Sequence, residues 1–160
     1  MHIQCAKKVV LSLFLFFSCT SIFASTNYYN EPVHLEFISV PLQDFNGENR
    51  SLAEIDKQGK WQVVMLWSSH CEVSNTKMHQ YVNFYEKNKA SDISFIGISL
   101  DGIDDKYVSE AFVKTHAMNF ANLVGDYDTL SRYFLSDTGE SSFSTPSFLV
   151  YSPSGELMAS

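Results

Sequence analysis

Apolar and polar positions along this chain fall into short blocks with two different periods. Residues 33–40, Val33-His34-Leu35-Glu36-Phe37-Ile38-Ser39-Val40, alternate well enough for a strand, and Phe45-Asn46-Gly47-Glu48-Asn49 behind it supplies an Asn-Gly hairpin turn. Ser51-Leu52-Ala53-Glu54 has capping-box spacing and predicts one helical turn. The run Trp61-Gln62-Val63-Val64-Met65-Leu66-Trp67 has strand character and ends in the polar turn Ser68-Ser69-His70, and a helical pattern begins at Cys71. Met78, Tyr81, Val82 and Tyr85 stand at i, i+3, i+4 and i+7, so this helix lays one stripe on a sheet and runs to about Lys89. Residues 91–100 form the next strand; Ile93, Phe95, Ile96 and Ile98 suit a sheet buried on both faces.

The second half repeats the alternation. Asp104 and Asp105 can cap a helix carrying Val108, Ala111, Phe112 and Thr115, and Asp126 or Asp128 a short third one carrying Leu130, Tyr133 and Phe134. Residues 135–144 read as a polar loop. Phe148-Leu149-Val150-Tyr151 is a strand, Pro153-Ser154-Gly155 a turn, and residues 156–159 start its hairpin partner. Strands alternating with helices in this way specify an α/β domain with a mainly parallel sheet.

Length and charge narrow the class. The 160 residues, 45% hydrophobic and 14% aromatic, suffice for one packed core and are too few for two ordinary domains. Residues 1–24 read as an export signal: Lys7 and Lys8 are a positive n-region, residues 9–17 an apolar h-region interrupted only by Ser12, and Ser21-Ile22-Phe23-Ala24 offers cleavage after Ala24. The apolar stretch is shorter than the ~20 residues a spanning helix needs, so an uncleaved anchor is the alternative, as is acylation at Cys19. Residues 25–32 are a linker and 33–160 the domain. The net charge of −7, from eleven basic and eighteen acidic residues, becomes −9 once Lys7 and Lys8 leave with the signal, and it excludes a phosphate-backbone partner such as nucleic acid. The destination is periplasmic or otherwise extracytoplasmic; membrane contact would come only through an uncleaved or lipidated N-terminus.

Cys5 is lost on cleavage, which leaves Cys71 alone or beside an acylated Cys19 and provides no intramolecular disulfide framework. Cys71 sits where a thiol becomes reactive. Unpaired N–H groups and the helix dipole at a helix N-terminus favour an anion, and such settings pull a thiol from ~8.5 into roughly the 3.5–7.5 range. Protonated His70 would stabilise that thiolate, whereas the charge of Glu72 would oppose it. Zinc held by Cys71 with His70 and His79 is disfavoured, since adjacent residues seldom chelate together and no C-x-x-C or H-x-x-x-H spacing occurs. No cofactor is implied.

At these residues the chain resembles the thioredoxin fold, and specifically the extracytoplasmic TlpA/ResA branch of thiol-disulfide oxidoreductases, which carries W-x-x-x-C-x-x-C at the strand-to-helix junction. Trp67, Cys71 and Ser74 fall on its marked positions, with Ser74 in place of the second, resolving cysteine. The resemblance continues through Phe95-Ile96-Gly97-Ile98-Ser99-Leu100-Asp101, Ala111-Phe112-Val113-Lys114 and Thr145-Pro146-Ser147-Phe148-Leu149-Val150-Tyr151-Ser152-Pro153-Ser154-Gly155. It implies a thioredoxin-like fold with a central mixed, mainly parallel sheet flanked by helices and an N-terminal β-hairpin extension. It also implies a final helix that this chain lacks, so that either the chain is truncated at Ser160 or one sheet face is open.

What the resemblance implies for the site is a nucleophile, Cys71, facing a cis-proline at Thr145-Pro146, where an extended peptide could pair with the Thr145 backbone. Ser74 can donate a hydrogen bond to the thiolate but cannot resolve a mixed disulfide. Lys77 stands where the branch often has a glutamate that assists resolution. Three functions follow. The first is a monothiol thiol-disulfide oxidoreductase or isomerase-like protein of the envelope, whose partners are envelope proteins bearing thiols or disulfides and an external resolving thiol. The second is a thioredoxin-fold peptide-binding module without redox turnover. The third is a thiol peroxidase, for which Ser68 lies three residues before Cys71 but Val64 replaces the expected proline.

Overall fold

The computed structural model describes residues 40–51 and 59–160. The export signal, the linker, almost all of the strand predicted over 33–40 and the helical turn begun at Ser51 lie outside the described residues.

Among the described residues a mixed sheet of seven strands runs in the order β2-β1-β5-β4-β3-β6-β7. These are β1 Leu42–Gln43, β2 Asn49–Arg50, β3 Trp61–Trp67, β4 Ile93–Ser99, β5 Ala121–Val124, β6 Ser147–Tyr151 and β7 Leu157–Ala159. Among the same described residues three helices, α1 Glu72–Asn88, α2 Lys106–Thr115 and α3 Tyr127–Thr138, follow β3, β4 and β5. The parallel pairs are β3 with β4 and β4 with β5; β1, β6 and β7 join antiparallel.

Period two along β3 explains the layering, because alternate residues of a strand enter opposite faces. Val64 and Leu66 join Ile96, Ile98, Leu130, Tyr133 and Phe134 on the α3 side. Met65 and Trp67 join Met78, Phe95, Phe112 and Phe120 on the side of α1 and α2. Of the predicted α1 stripe, Met78 is fully buried, and Tyr81, Val82 and Tyr85 pack partly buried against the same cluster. Gly97 of β4 sits between two rings on that face. A Cβ there would lie 2.9 Å from Trp67 Nε1 and 3.0 Å from the Phe120 ring.

The Asn-Gly turn is present between β1 and β2. Gly47 takes φ 86°, and Asp44 Oδ1 accepts the N–H groups of Asn46 and Glu48 while Arg50 pairs with Asp44 and Glu48. Asp105 and Asp126 occupy the N-cap positions of α2 and α3, though neither side chain makes a cap hydrogen bond.

One expectation is corrected. Residues 135–138 are helical, because α3 continues to Thr138 and ends on Gly139, whose φ of 72° lets its N–H reach Leu135 O; the loop is correspondingly shorter. The strand β5 had no counterpart in the sequence reading. It is four residues long with Asn122 in its interior, and its pairing with β4 supplies what its composition does not signal.

Candidate functional site

The site forms where β3 hands over to α1. Ser68, Ser69, His70 and Cys71 make a turn closed by the Cys71 N–H on Ser68 O (3.2 Å), and Cys71 is the N-cap residue of α1 with φ −84° and ψ 121°. Asn75 N–H on Cys71 O, 3.0 Å, is the first helical bond. The N–H groups of the first turn have no partner from their own helix and face an N-cap sulfur.

Sheet register brings up the opposite wall. Leu66 pairs with Ser147 in antiparallel β3 and β6, so the residues before β6 lie alongside the residues after β3. Those residues are Thr145 and Pro146, joined by a cis peptide. The Cys71 thiol donates to Thr145 O at 3.0 Å. Cys71 is half-buried and in no disulfide.

The thiol's acidity follows from its neighbours. Burial is the largest influence and pushes it up, but side-chain hydrogen bonding from Thr145, the Ser74 N–H, the Ser74 hydroxyl and the Val73 N–H outweigh it together and hold it below the ordinary thiol value. The bond to Thr145 O belongs to the protonated form and is given up on ionisation. The donors act on the thiolate. Ser74 has its side chain fully buried in α1 and its hydroxyl without a hydrogen-bond partner, and an ionised Cys71 sulfur is the acceptor that would give it one.

The sequence-derived residues separate into two groups. Cys71, Ser74, Thr145 and Pro146 come together. His70 stands at the rim, 75% exposed, with Nδ1 3.3 Å from Ser69 Oγ and 3.4 Å from Asp101 Oδ1. Trp67 does not join them at the surface. Its ring is fully buried and stacks on Phe112 of α2, centroids 4.8 Å apart, which makes it a packing residue beneath the turn. Glu72 and Lys77 are exposed. Among the described residues no three His, Cys, Asp or Glu side chains cluster as metal ligands, and no helix is long and apolar enough to cross a membrane.

Asp101 was missed as a site residue. It follows β4, and its carboxylate, completely buried, accepts from Ser68 Oγ (2.7 Å), Ser69 N–H (3.1 Å) and Ser109 Oγ (2.9 Å). Burial raises its pKa, but the hydrogen bonds of Ser68, Ser69 and Ser109 prevail and hold it below the usual carboxylate value. The signal available was Ser68 and Ser69, two hydroxyl residues before the thiol; their partner, more than thirty residues away, could not be read from the spacing.

Residues 33–160 match the profile of the AhpC/TSA family. No curated protein matches the sequence. Among solved structures, a secreted Mycobacterium tuberculosis disulfide oxidoreductase homologous to E. coli DsbE superposes with TM-score 0.56 at 21% identity, covering 76% of this chain and 81% of its own. A thiol-disulfide oxidoreductase from Bacteroides fragilis gives 0.57 at 20% identity, covering 78% and 88%. A thioredoxin-like protein from Porphyromonas gingivalis gives 0.60 at 12% identity, covering 75% of each chain. The fold is thioredoxin-like.

Proposed function

Starting from a chain that belongs to the AhpC/TSA family, we propose a thiol-disulfide oxidoreductase or isomerase-like protein of the cell envelope, related to the TlpA/ResA branch and acting through one nucleophilic cysteine. The observation that carries the proposal is Cys71 at the head of α1, its sulfur against Thr145 O and surrounded by donors to its ionised form.

The Cys71 thiolate attacks one sulfur of a partner's disulfide. A bond forms between Cys71 Sγ and that sulfur, the partner's S–S bond breaks, and the other sulfur leaves as a thiolate. Ser74 has no sulfur to attack the new bond, so an external thiol must do so; its thiolate takes over the partner's sulfur and Cys71 leaves as the thiolate. When the attacking thiolate is another of the partner's own, the partner's disulfide is rearranged; when it is a small thiol, the partner leaves carrying a mixed disulfide with it, and a second small thiolate must attack that thiol's sulfur to free the partner's second thiolate and form the small thiol's own disulfide. A peptide placed along Thr145 would present its disulfide to Cys71. The envelope location is supported by the signal pattern over residues 1–24 and by the likeness to a secreted oxidoreductase.

Reduction of an insulin-type disulfide tests the proposal. The rate should depend on added monothiol, and Cys71→Ser should abolish it; a rate unaffected by Cys71→Ser would end the proposal. Ser74 favours a second reading, a peptide-binding module without turnover, in which Cys71→Ser still retains partners noncovalently. The peroxidase reading is weakened because the Ser68 hydroxyl donates to Asp101 and accepts the His70 N–H, turned into its own loop.

A further inference from the structure

We propose that Asp101 is the positioning residue of this site, holding the Ser68-Ser69-His70 turn so that Cys71 meets both the head of α1 and Thr145; the inference rests on the thiol reading above. A completely buried carboxylate is strongly unfavourable unless donors surround it. Here the donors come from two places. Ser68 Oγ at 2.7 Å and the Ser69 N–H at 3.1 and 3.2 Å come from the turn, and Ser109 Oγ at 2.9 Å comes from α2.

Behind the carboxylate the network continues. Ser109 gives its proton to Asp101, so the Ser99 hydroxyl, 2.7 Å away, donates to Ser109, and Ser99 Oγ accepts the Asp101 N–H at 3.1 Å. Asp101 is therefore fixed from β4 and α2 and presents its remaining capacity to the turn. From the other side Asn75 of α1 donates to Ser69 O at 2.8 Å and Cys71 O at 3.2 Å. The turn's donors are answered by Asp101 and its carbonyls by Asn75. With Ser68 Oγ also accepting the His70 N–H, three consecutive residues before the thiol are held by one carboxylate and its immediate partner.

Positioning and charge predict opposite signs. An anion near Cys71 disfavours the thiolate, so by its direct charge on the sulfur alone Asp101→Asn would make the thiol more acidic; Asp101 also faces the exposed His70, Nδ1 at 3.4 Å, and the charge-neutral Ser68→Ala is read beside it because it leaves that pair in place. If Asp101 acts by holding the turn, its loss lets the sulfur drift from the Ser74 and Val73 N–H groups and the thiol becomes less acidic.

The test is the pH dependence of Cys71 alkylation by iodoacetamide in wild type, Asp101→Asn and Ser68→Ala, with circular dichroism and thermal melting alongside. The pH midpoint should rise by roughly one unit in Asp101→Asn, about tenfold less thiolate below the midpoint, and by less, in the same direction, in the charge-neutral Ser68→Ala. A downward shift in Asp101→Asn, or a lower Tm with the midpoint unmoved, overturns the inference. Should Asp101→Asn not fold, Ser68→Ala decides alone: a rise supports positioning, and no change refutes it. Failure of the exchange reading shows elsewhere, as wild-type protein that never forms mixed disulfides, because the shift between variants requires no turnover.

Discussion

Replacing Ser74 by alanine should change stability with opposite sign on the two sides of the Cys71 titration. While Cys71 is a thiol, the Ser74 hydroxyl is fully buried and unpartnered. Such a group costs about 1–3 kcal/mol. Removing one oxygen leaves little void, so at low pH the variant should equal wild type or exceed it by up to about 2 kcal/mol. When the sulfur ionises, the hydroxyl gains an anion to donate to, a bond contributing about 1.5–3 kcal/mol. Its loss should therefore raise the Cys71 pKa by about one to two units at ~1.4 kcal/mol each. The folded pKa lies below the ordinary thiol value, so the folded state loses its proton first as pH rises. The associated stability is fully present above the unfolded pKa and lost as pH falls through the folded one. Wild type should accordingly overtake the variant as pH rises. Urea denaturation of both proteins at one pH below and one pH above the measured Cys71 alkylation midpoint reads the crossover, and Cys71→Ala should remove it. A variant less stable by the same amount at both pH values, with the alkylation midpoint unchanged, would refute the assignment of Ser74 as a donor to the thiolate.

Gly97→Ala should destabilise the fold, because the added methyl would run into Asn122 Oδ1 and against Trp67 and Phe120. Overpacking of this kind costs about 1–3 kcal/mol, a fall in Tm of roughly 3–12 °C, and an unchanged melting curve would contradict the packing described. Asp101 should dominate acid sensitivity. Its folded pKa is depressed, so its contribution is present above the ordinary carboxylate value and lost as pH falls through the folded one. The stability gap between wild type and Asp101→Asn should narrow as pH falls below the ordinary carboxylate range, and a gap that stays constant from neutral pH down into acid would contradict it.

What the sequence disclosed is what local period and end signals encode. The helix beginning at Cys71 is readable because Met78, Tyr81, Val82 and Tyr85 keep one face apolar, and β4 because its run is apolar on both faces. The end of α3 was misplaced because Ser136, Asp137 and Thr138 look like loop, yet Phe134 is buried and Gly139 caps the helix behind them. β5 escaped because its identity lies in its neighbours. The same division holds at the site. Cys71, Ser74, Thr145 and Pro146 are legible from a motif and a resemblance, and sheet register brings them together. Asp101 is not, since a carboxylate that serves a turn thirty residues away leaves no periodic trace; nor is the burial of Trp67, which a marked position in a motif does not reveal.

The claim that one cysteine carries the chemistry is tested most directly by intact-mass measurement of the purified protein held with a partner disulfide under mildly oxidising conditions. In a dithiol enzyme a second thiolate resolves the adduct at an effective concentration that can reach ~10⁵ M or more in well-oriented systems. Ser74 removes that route. Wild type should accumulate as a mixed disulfide at Cys71, Ser74→Cys should show the adduct only transiently and gain dithiol-dependent reductase activity, and Cys71→Ser should show none. Wild-type protein that stays unmodified while Ser74→Cys gains no activity would contradict the account.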